Sequence, residues 1–278
     1  MTVLLFSLIV LAGSFLAGLV GALTGLGGGV IIIPMLTLLF GVDIHYAIGA
    51  SLISVIATSS GAAAAYVKEG ISNIRIGMFL EIATTLGAVG GAMIAVYAPT
   101  DTIAVIFGFV LVFSAVISLK KKNENLVQYS GGKLSQILKL NSSYPTEHGE
   151  ISYAAHNVPG GFIMMAIAGL ISGLLGIGSG ALKVIAMDHF MKLPFKVSTT
   201  TSNFMIGVTA AASAGIYMQR GYINPGLSMP VVLGVITGAF LGSKILVKSK
   251  TQWLRILFAC IITFLAVQMI YNGITDKI

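Results

Sequence analysis

Long apolar runs make up most of the chain, and polar residues gather in short breaks between them. The runs give ten apolar segments. They lie roughly at 3–24, 29–42, 46–67, 74–97 and 102–119, then at 159–175, 180–191, 197–218, 227–247 and 253–273. At about 1.5 Å of rise per residue, eight can cross a hydrocarbon core of about 30 Å. Segments 29–42 and 180–191 are too short to cross comfortably. Continuous apolar runs, rather than ~10-residue strands of alternating polarity, predict helices and argue against a barrel. The one substantial polar stretch is 120–158. Within it, Leu134–Leu140 forms a small amphipathic run, expected to lie along a membrane surface. The chain thus divides into a first membrane unit over 1–119, a cytoplasmic linker over 120–158 and a second membrane unit over 159–278.

The two units are copies of one another. Residues 17–94 align without a gap onto 168–245 at a constant offset of 151, with about 18 of 78 positions identical. The identities include Gly18/Gly169, Gly25/Gly176, Gly27/Gly178, Gly29/Gly180, Ser51/Ser202, Tyr66/Tyr217, Gly70/Gly221, Asn73/Asn224, Gly87/Gly238 and Gly91/Gly242. Five segments per unit is an odd number, so the units are expected to insert in opposite orientations. The predicted class is therefore an all-α membrane protein of two inverted five-segment repeats with glycine-broken helices. This is the sequence pattern of a secondary transporter with its site at the repeat interface.

The basic residues agree with inversion. With Lys120-Lys121-Lys122 placed in the cytoplasm and the segments alternating, thirteen of the sixteen Lys and Arg residues fall inside. Only Arg220 and Lys277 fall outside, and Lys183 stays in the membrane. If the short segments were re-entrant instead, the repeats would be parallel. Lys192, Lys196 and the 244–255 cluster would then lie outside, against the positive-inside rule. The alternating arrangement puts both termini on the periplasmic or exterior side. The opening Met1-Thr2-Val3-Leu4-Leu5 lacks a basic n-region and reads as the start of a first span.

Composition sharpens this picture. The chain is 56% hydrophobic and 9% charged, with mean hydropathy +0.97, whereas soluble proteins carry about 25% charge. The net charge of +7 is topology-setting, so no nucleic-acid partner is expected. The single cysteine, Cys260, allows no internal disulfide and no cysteine metal cluster. Asp43, His45, His148 and His156 lie in loops without metal-ligand spacing. No cofactor is expected. Membrane lipid surrounds the protein, and the sequence is compatible with a homo-oligomer.

The chemistry is expected at the two breaks, Gly25-Leu26-Gly27-Gly28-Gly29 and Gly176-Ile177-Gly178-Ser179-Gly180. Glycine costs a helix interior about 1 kcal/mol per residue, so each cluster should interrupt its helix. Unpaired backbone cannot face lipid and must face protein or a polar cavity. A short helix starts at each break, with free N–H groups and the positive end of its dipole at the start. Two such starts facing one another form an anion site. Gly87-xxx-Gly91 and Gly238-xxx-Gly242 read instead as close helix packing. Gly176-x-Gly178-x-x-Ala181 matches a dinucleotide fingerprint only nominally, since no strand precedes it and Lys196 stands where an acid is needed.

Several polar residues inside the spans extend this candidate site. Lys183 follows the second break by three residues and replaces Ile32 of the first repeat. An intramembrane lysine marks a functional site by default. Its roles are contact with an anionic substrate or internal pairing with Asp188 or Glu81. Thr200, Thr201, Ser202 and Asn203 sit in a run of six polar residues, too many to bond their own backbone while facing lipid. They are expected to line a cavity, with Ser51 as their symmetry mate. Glu81, about two turns into the fourth segment near Thr84 and Thr85, is either a proton carrier or the partner of a lysine.

At these residues the chain resembles the TauE/SafE sulfite-exporter family. The resemblance rests on Gly25-Leu26-Gly27-Gly28-Gly29-Val30 with Pro34 nearby, then Ala50-Ser51, Gly70 and Gly87-xxx-Gly91. Glu150-Ile151-Ser152-Tyr153 and Gly173-Leu174-Leu175-Gly176-Ile177-Gly178 extend it over nearly the whole chain. The second motif departs from the usual pattern. It continues Ser179-Gly180-Ala181-Leu182-Lys183, and Ile185 or Ala186 takes the place of the proline. The resemblance implies an inner-membrane carrier for a small anion such as sulfite or an organosulfonate. A carrier or channel for a small carboxylate is the alternative. An intramembrane serine hydrolase using Ser179 and His189 is remote, because ten residues of helix rise about 15 Å and a nucleophile needs its base within hydrogen-bond reach.

Overall fold

The computed structural model describes residues 2–24, 28–68, 71–119, 132–146, 149–246 and 251–275. Gly25 and Gly27 of the first break and the Lys120–Lys122 loop lie outside the described residues. The first unit holds α1 (Val3–Thr24), α2 (Gly29–Pro34), α3 (Ile44–Lys68), α4 (Ile74–Tyr97) and α5 (Thr100–Leu119). The linker holds α6 (Lys133–Ile137) and strands β1 (Ser142–Thr146) and β2 (Gly149–Tyr153). The second unit holds α7 (Val158–Leu175), α8 (Gly180–Ile185), α9 (Phe195–Gln219), α10 (Pro225–Leu246) and α11 (Thr251–Ile274).

The sequence offset reappears in the element bounds. The starts of α8, α9, α10 and α11 each lie 151 residues after those of α2, α3, α4 and α5. Each short helix passes into one turn of π-helix, at Met35–Leu39 and at Ala186–Phe190. The second is closed by Met191 N–H donating to the Ala186 carbonyl at 3.2 Å. Such turns are rare and cluster at functional sites.

Packing partners come in equivalent pairs. Helix α1 lies on α10 as α7 lies on α4, with small residues bringing backbone against backbone. Gly234 approaches Leu11 and Phe15, and Gly238 approaches Phe15 and Leu19, so α1 and α10 run parallel. Gly87 against Ala166 and Leu170, with Gly91 against Leu170 and Leu174, gives α4 and α7 the same sense. Helices α3 and α9 run antiparallel: Gly49 meets Tyr222 and Ile223, whereas Ser59 meets Gly207. Helices α5 and α11 are also antiparallel, with Gly108 beside Ala266 and Ile270, and Gly273 beside Asp101 and Ala104.

Large apolar side chains cover the outside. Leu16, Met78, Leu86, Phe109, Ile163, Phe240 and Phe264 are all exposed. An apolar exterior this broad has no place in water and fits a lipid solvent. Polar groups lie within; Ser51, Ser54, Thr84, Lys183, Ser198 and Thr209 are fully buried.

The linker departs from the all-α expectation by one antiparallel hairpin, pairing Ser142 with Tyr153 through Thr146 with Gly149. The amphipathic run is helical only over Lys133–Ile137, and Leu140 is buried near Ile76 and Leu193. Arg75 donates to the Lys139 carbonyl at 2.9 Å. The Asn73 amide donates to the Leu140 carbonyl and to the Tyr153 hydroxyl. Burial pushes the Tyr153 phenol up, which keeps it neutral. Asn73 also caps α4 by accepting from Ile76 N–H at 3.0 Å. Its equivalent Asn224 is exposed and bonds only locally, to Gly226 N–H. The linker therefore straps one end of the bundle.

Candidate functional site

The second break is built from left-handed backbone. Gly176 (φ 66°), Gly178 (φ 71°) and Ser179 (φ 46°) end α7 at Leu175 and let α8 begin at Gly180. Such angles are open to glycine and strained for serine. Ser179 is buried, and its hydroxyl has no hydrogen-bond partner among the described residues.

The two breaks meet. Ser51 of α3 donates its hydroxyl to the Gly176 carbonyl at 2.9 Å. A β-carbon added at Gly29 would fall 2.5 Å from Ser51 Oγ and 3.5 Å from that same carbonyl oxygen. One added at Gly28 would instead fall 3.2 Å from Val235, on the α10 side. On the other side, Ser202 donates to the Gly180 carbonyl at 3.2 Å. Gly178 lies against Val55 and Ile206, one from each repeat. Ser51 and Ser202, identical across the offset, thus both engage the second break.

The hydroxyl run of α9 divides. Thr200 bonds back to the Lys196 and Val197 carbonyls of its own helix. Thr201 accepts from Asn73 N–H at 3.0 Å and ties α9 to the start of α4. Ser202 alone of the four hydrogen-bonds to a break, and Asn203 is half-buried.

Lys183 and Glu81 come together through a residue the sequence reading did not single out. Lys183 is fully buried, and its Nζ donates to Thr209 Oγ1 at 2.5 Å. Thr209 Oγ1 stands 2.6 Å from Glu81 Oε1, which also accepts from Thr85 Oγ1 at 3.1 Å. Among the described residues, Glu81 Oε2 is buried with no hydrogen-bond partner, and Lys183 has one hydrogen-bond partner for three N–H donors. Asp188, the other acid considered for Lys183, sits 3.6 Å from His189. Thr209 lies 151 residues after Thr58, an identical pair in the repeat. That identity was the available signal. The charges break the symmetry, since Glu81 and Lys183 correspond to Val232 and Ile32.

Among the described residues, no group of three metal-ligating side chains occurs. Ser179 is buried while the His189 side chain is 63% exposed, so they form no nucleophile–base pair. Beside the fully buried lysine, the Ser179 hydroxyl and Glu81 Oε2 have no hydrogen-bond partner among the described residues, while the Ser51 and Ser202 hydroxyls are spent on break carbonyls.

Apolar spans, broken helices and buried charge together define a polytopic membrane transport protein. The family model described as Sulfite exporter TauE/SafE matches residues 10–269, and the chain belongs to that family. It is 29% identical over 277 residues to the probable membrane transporter protein YunE of Bacillus subtilis (strain 168), covering 97% of this chain and 98% of that protein. It is 27% identical over 231 residues to the probable membrane transporter protein YdhB of the same organism, covering 83% and 86%. It is 23% identical over 282 residues to the probable membrane transporter protein MJ0441 of Methanocaldococcus jannaschii, covering 96% of both chains. No solved structure matches the chain.

Proposed function

We propose that this membrane transporter is a secondary active carrier exporting a small sulfur-containing anion, such as sulfite or an organosulfonate, from a site between two inverted repeats. The carrying observation is a fully buried lysine with donor capacity to spare, one turn beyond a break that the other repeat touches. A buried ammonium with unmet hydrogen bonds is costly, and a small oxyanion supplies the acceptors it lacks. The Ser179 hydroxyl is a further unpaired donor. Gly28, Gly29, Gly176, Gly178 and Gly180 form the breaks, Ser51 and Ser202 bond to the second of them, and together they frame the anion site. Glu81 is the proton-coupling acid. Thermal shift in detergent with sulfite, thiosulfate, sulfoacetate, sulfate and acetate tests the substrate class. Stabilisation by acetate alone would replace this reading with a carboxylate carrier.

Inversion is supported by helix direction. The self-equivalent pairs α3/α9 and α5/α11 are antiparallel, as a two-fold axis lying in the membrane plane requires. Parallel repeats would leave both pairs parallel. Exposed single cysteines at Ser142, Lys192 and Asn224, in a Cys260→Ala background, give the test. The first two are expected to react with an impermeant maleimide only from the cytoplasm, and the third only from outside. Reaction of Lys192→Cys and Asn224→Cys from the same side would defeat the inverted arrangement.

A further inference from the structure

The Thr209 hydroxyl has one hydrogen and three close neighbours. Lys183 Nζ lies 2.5 Å away, Glu81 Oε1 2.6 Å and the Met205 carbonyl oxygen 2.9 Å. An ammonium only donates, so Thr209 accepts from Lys183. It can then give its hydrogen to Glu81 or to Met205, but not to both. An ionised carboxylate is the stronger acceptor. With Glu81 ionised, Thr209 points at it, and the line Lys183–Thr209–Glu81 carries no net charge. With Glu81 protonated, its own hydrogen can point at Thr209, which turns to the Met205 carbonyl. Lys183 is then a full positive charge with no counter-charge.

We infer that the Lys183 ammonium becomes available to an anion when Glu81 takes up a proton, with Thr209 as the positioning residue that links the two, so that one proton and one monoanion bind and move together. This rests on the anion site proposed above and fixes its coupling. The charges balance. A solvent proton converts the Glu81 carboxylate to an acid, and the arriving monoanion replaces it as the partner of Lys183. Empty and loaded sites are both neutral, so neither leaves an isolated charge in a low-dielectric interior. Binding in only one of these two steps would leave one.

Among the described residues, no other charged side chain hydrogen-bonds to Glu81 or Lys183. Helix α7 carries no ionisable side chain. On α9, Lys196 is exposed at the helix start, and Tyr217 is bonded to the Gly173 and Leu174 carbonyls. Beyond α8, Asp188 faces His189. On α4, Arg75 is held by the Lys139 carbonyl. On α3, His45 bonds Asp43 and the Ala95 carbonyl. A consequence is that export runs on the outward anion gradient, and an acidic exterior opposes it.

Calorimetry on the purified full chain decides the matter. Isethionate serves as probe, because its sulfonate keeps one charge throughout the pH range used. Paired buffers of different ionisation enthalpy report protons taken up. The expected result for the unaltered protein is about one proton per anion, with affinity falling as the pH rises, by up to about tenfold per pH unit. Glu81→Gln, a fixed mimic of the acid, should bind with no proton uptake and a flat pH profile. Thr209→Val should retain binding but take up clearly less than one proton, and Thr209→Ser should restore the full count, separating lost coupling from faulty packing. Binding by the unaltered protein without buffer-dependent heat would overturn the inference alone, as would full uptake by Thr209→Val. Absence of binding would overturn the anion site itself, and the inference with it.

Discussion

Replacement of Lys183 by methionine is expected to weaken anion binding by at least about tenfold while the protein still inserts and purifies. Lys183 is fully buried with a single hydroxyl as its described hydrogen-bond partner. Water does not compete there, so its attraction for an anion exceeds the ~0–1 kcal/mol of a surface pair. Removing one partner of a buried charge pair typically costs about 2–5 kcal/mol, and even the lower bound exceeds a tenfold change. The fold should survive because Glu81 stays bonded to Thr85 and Thr209. Methionine preserves the length and apolar stem of the side chain. Lys183→Arg should rescue only in part, since a planar fork needs more room than an ammonium. Titration with sulfite, followed by calorimetry, gives the affinity. Size-exclusion profiles in detergent report the fold. Unchanged affinity with lost folding would make Lys183 a structural counter-ion for Glu81. The anion would then depend on the breaks, Ser51 and Ser202.

Much of this architecture was legible because it depends on local chemistry that repeats. Clustered glycines stop a helix wherever they occur, and an exact offset of 151 carried each stop from one unit to the other. The undersized second segments followed from the same breaks. Lys183 and Glu81 were recognisable singly because charge is rare in these spans. Their meeting was not legible: 102 residues separate them, and the bridge is a threonine among many. Nor does a polar run show how its members divide: Thr200 bonds back to Lys196, whereas Ser202 bonds to the second break. The linker hairpin also escaped notice. Its strands alternate too briefly, over Ser142–Thr146 and Gly149–Tyr153, to stand out from a polar loop. Helix direction depends on pairing at long range, which periodicity along one segment does not encode.

Two glycines one position apart should respond in opposite ways, and the difference tests how the units are joined. Gly91 faces α7, where a β-carbon would overlap the Leu170 carbonyl oxygen and lie 2.9 Å from Leu174 N. Backbone cannot step aside as a side-chain tip can, so Gly91→Ala must push α4 and α7 apart. Overpacking of this kind typically costs about 1–3 kcal/mol, and a seam held by close backbone contact has little else to hold it in lipid. Gly90 has nothing within 4 Å of its added carbon. Gly90→Ala should therefore be neutral, or stabilising by up to about 1 kcal/mol through the helix preference of alanine. The equivalent seam between α1 and α10 offers a second copy, in which a β-carbon at Gly238 would overlap the Phe15 carbonyl oxygen. Gly91→Ala and Gly238→Ala combined are expected to remove most monodisperse protein, because the α4–α7 and α1–α10 seams are then both wedged open. Thermal stability in detergent, with Gly90→Ala as the matched control, is the measurement. Equal behaviour of Gly90→Ala and Gly91→Ala would show that α4 does not lean on α7 through this face. The placement of Glu81 opposite Lys183 would then lose its support, since that seam fixes the depth at which α4 presents the acid.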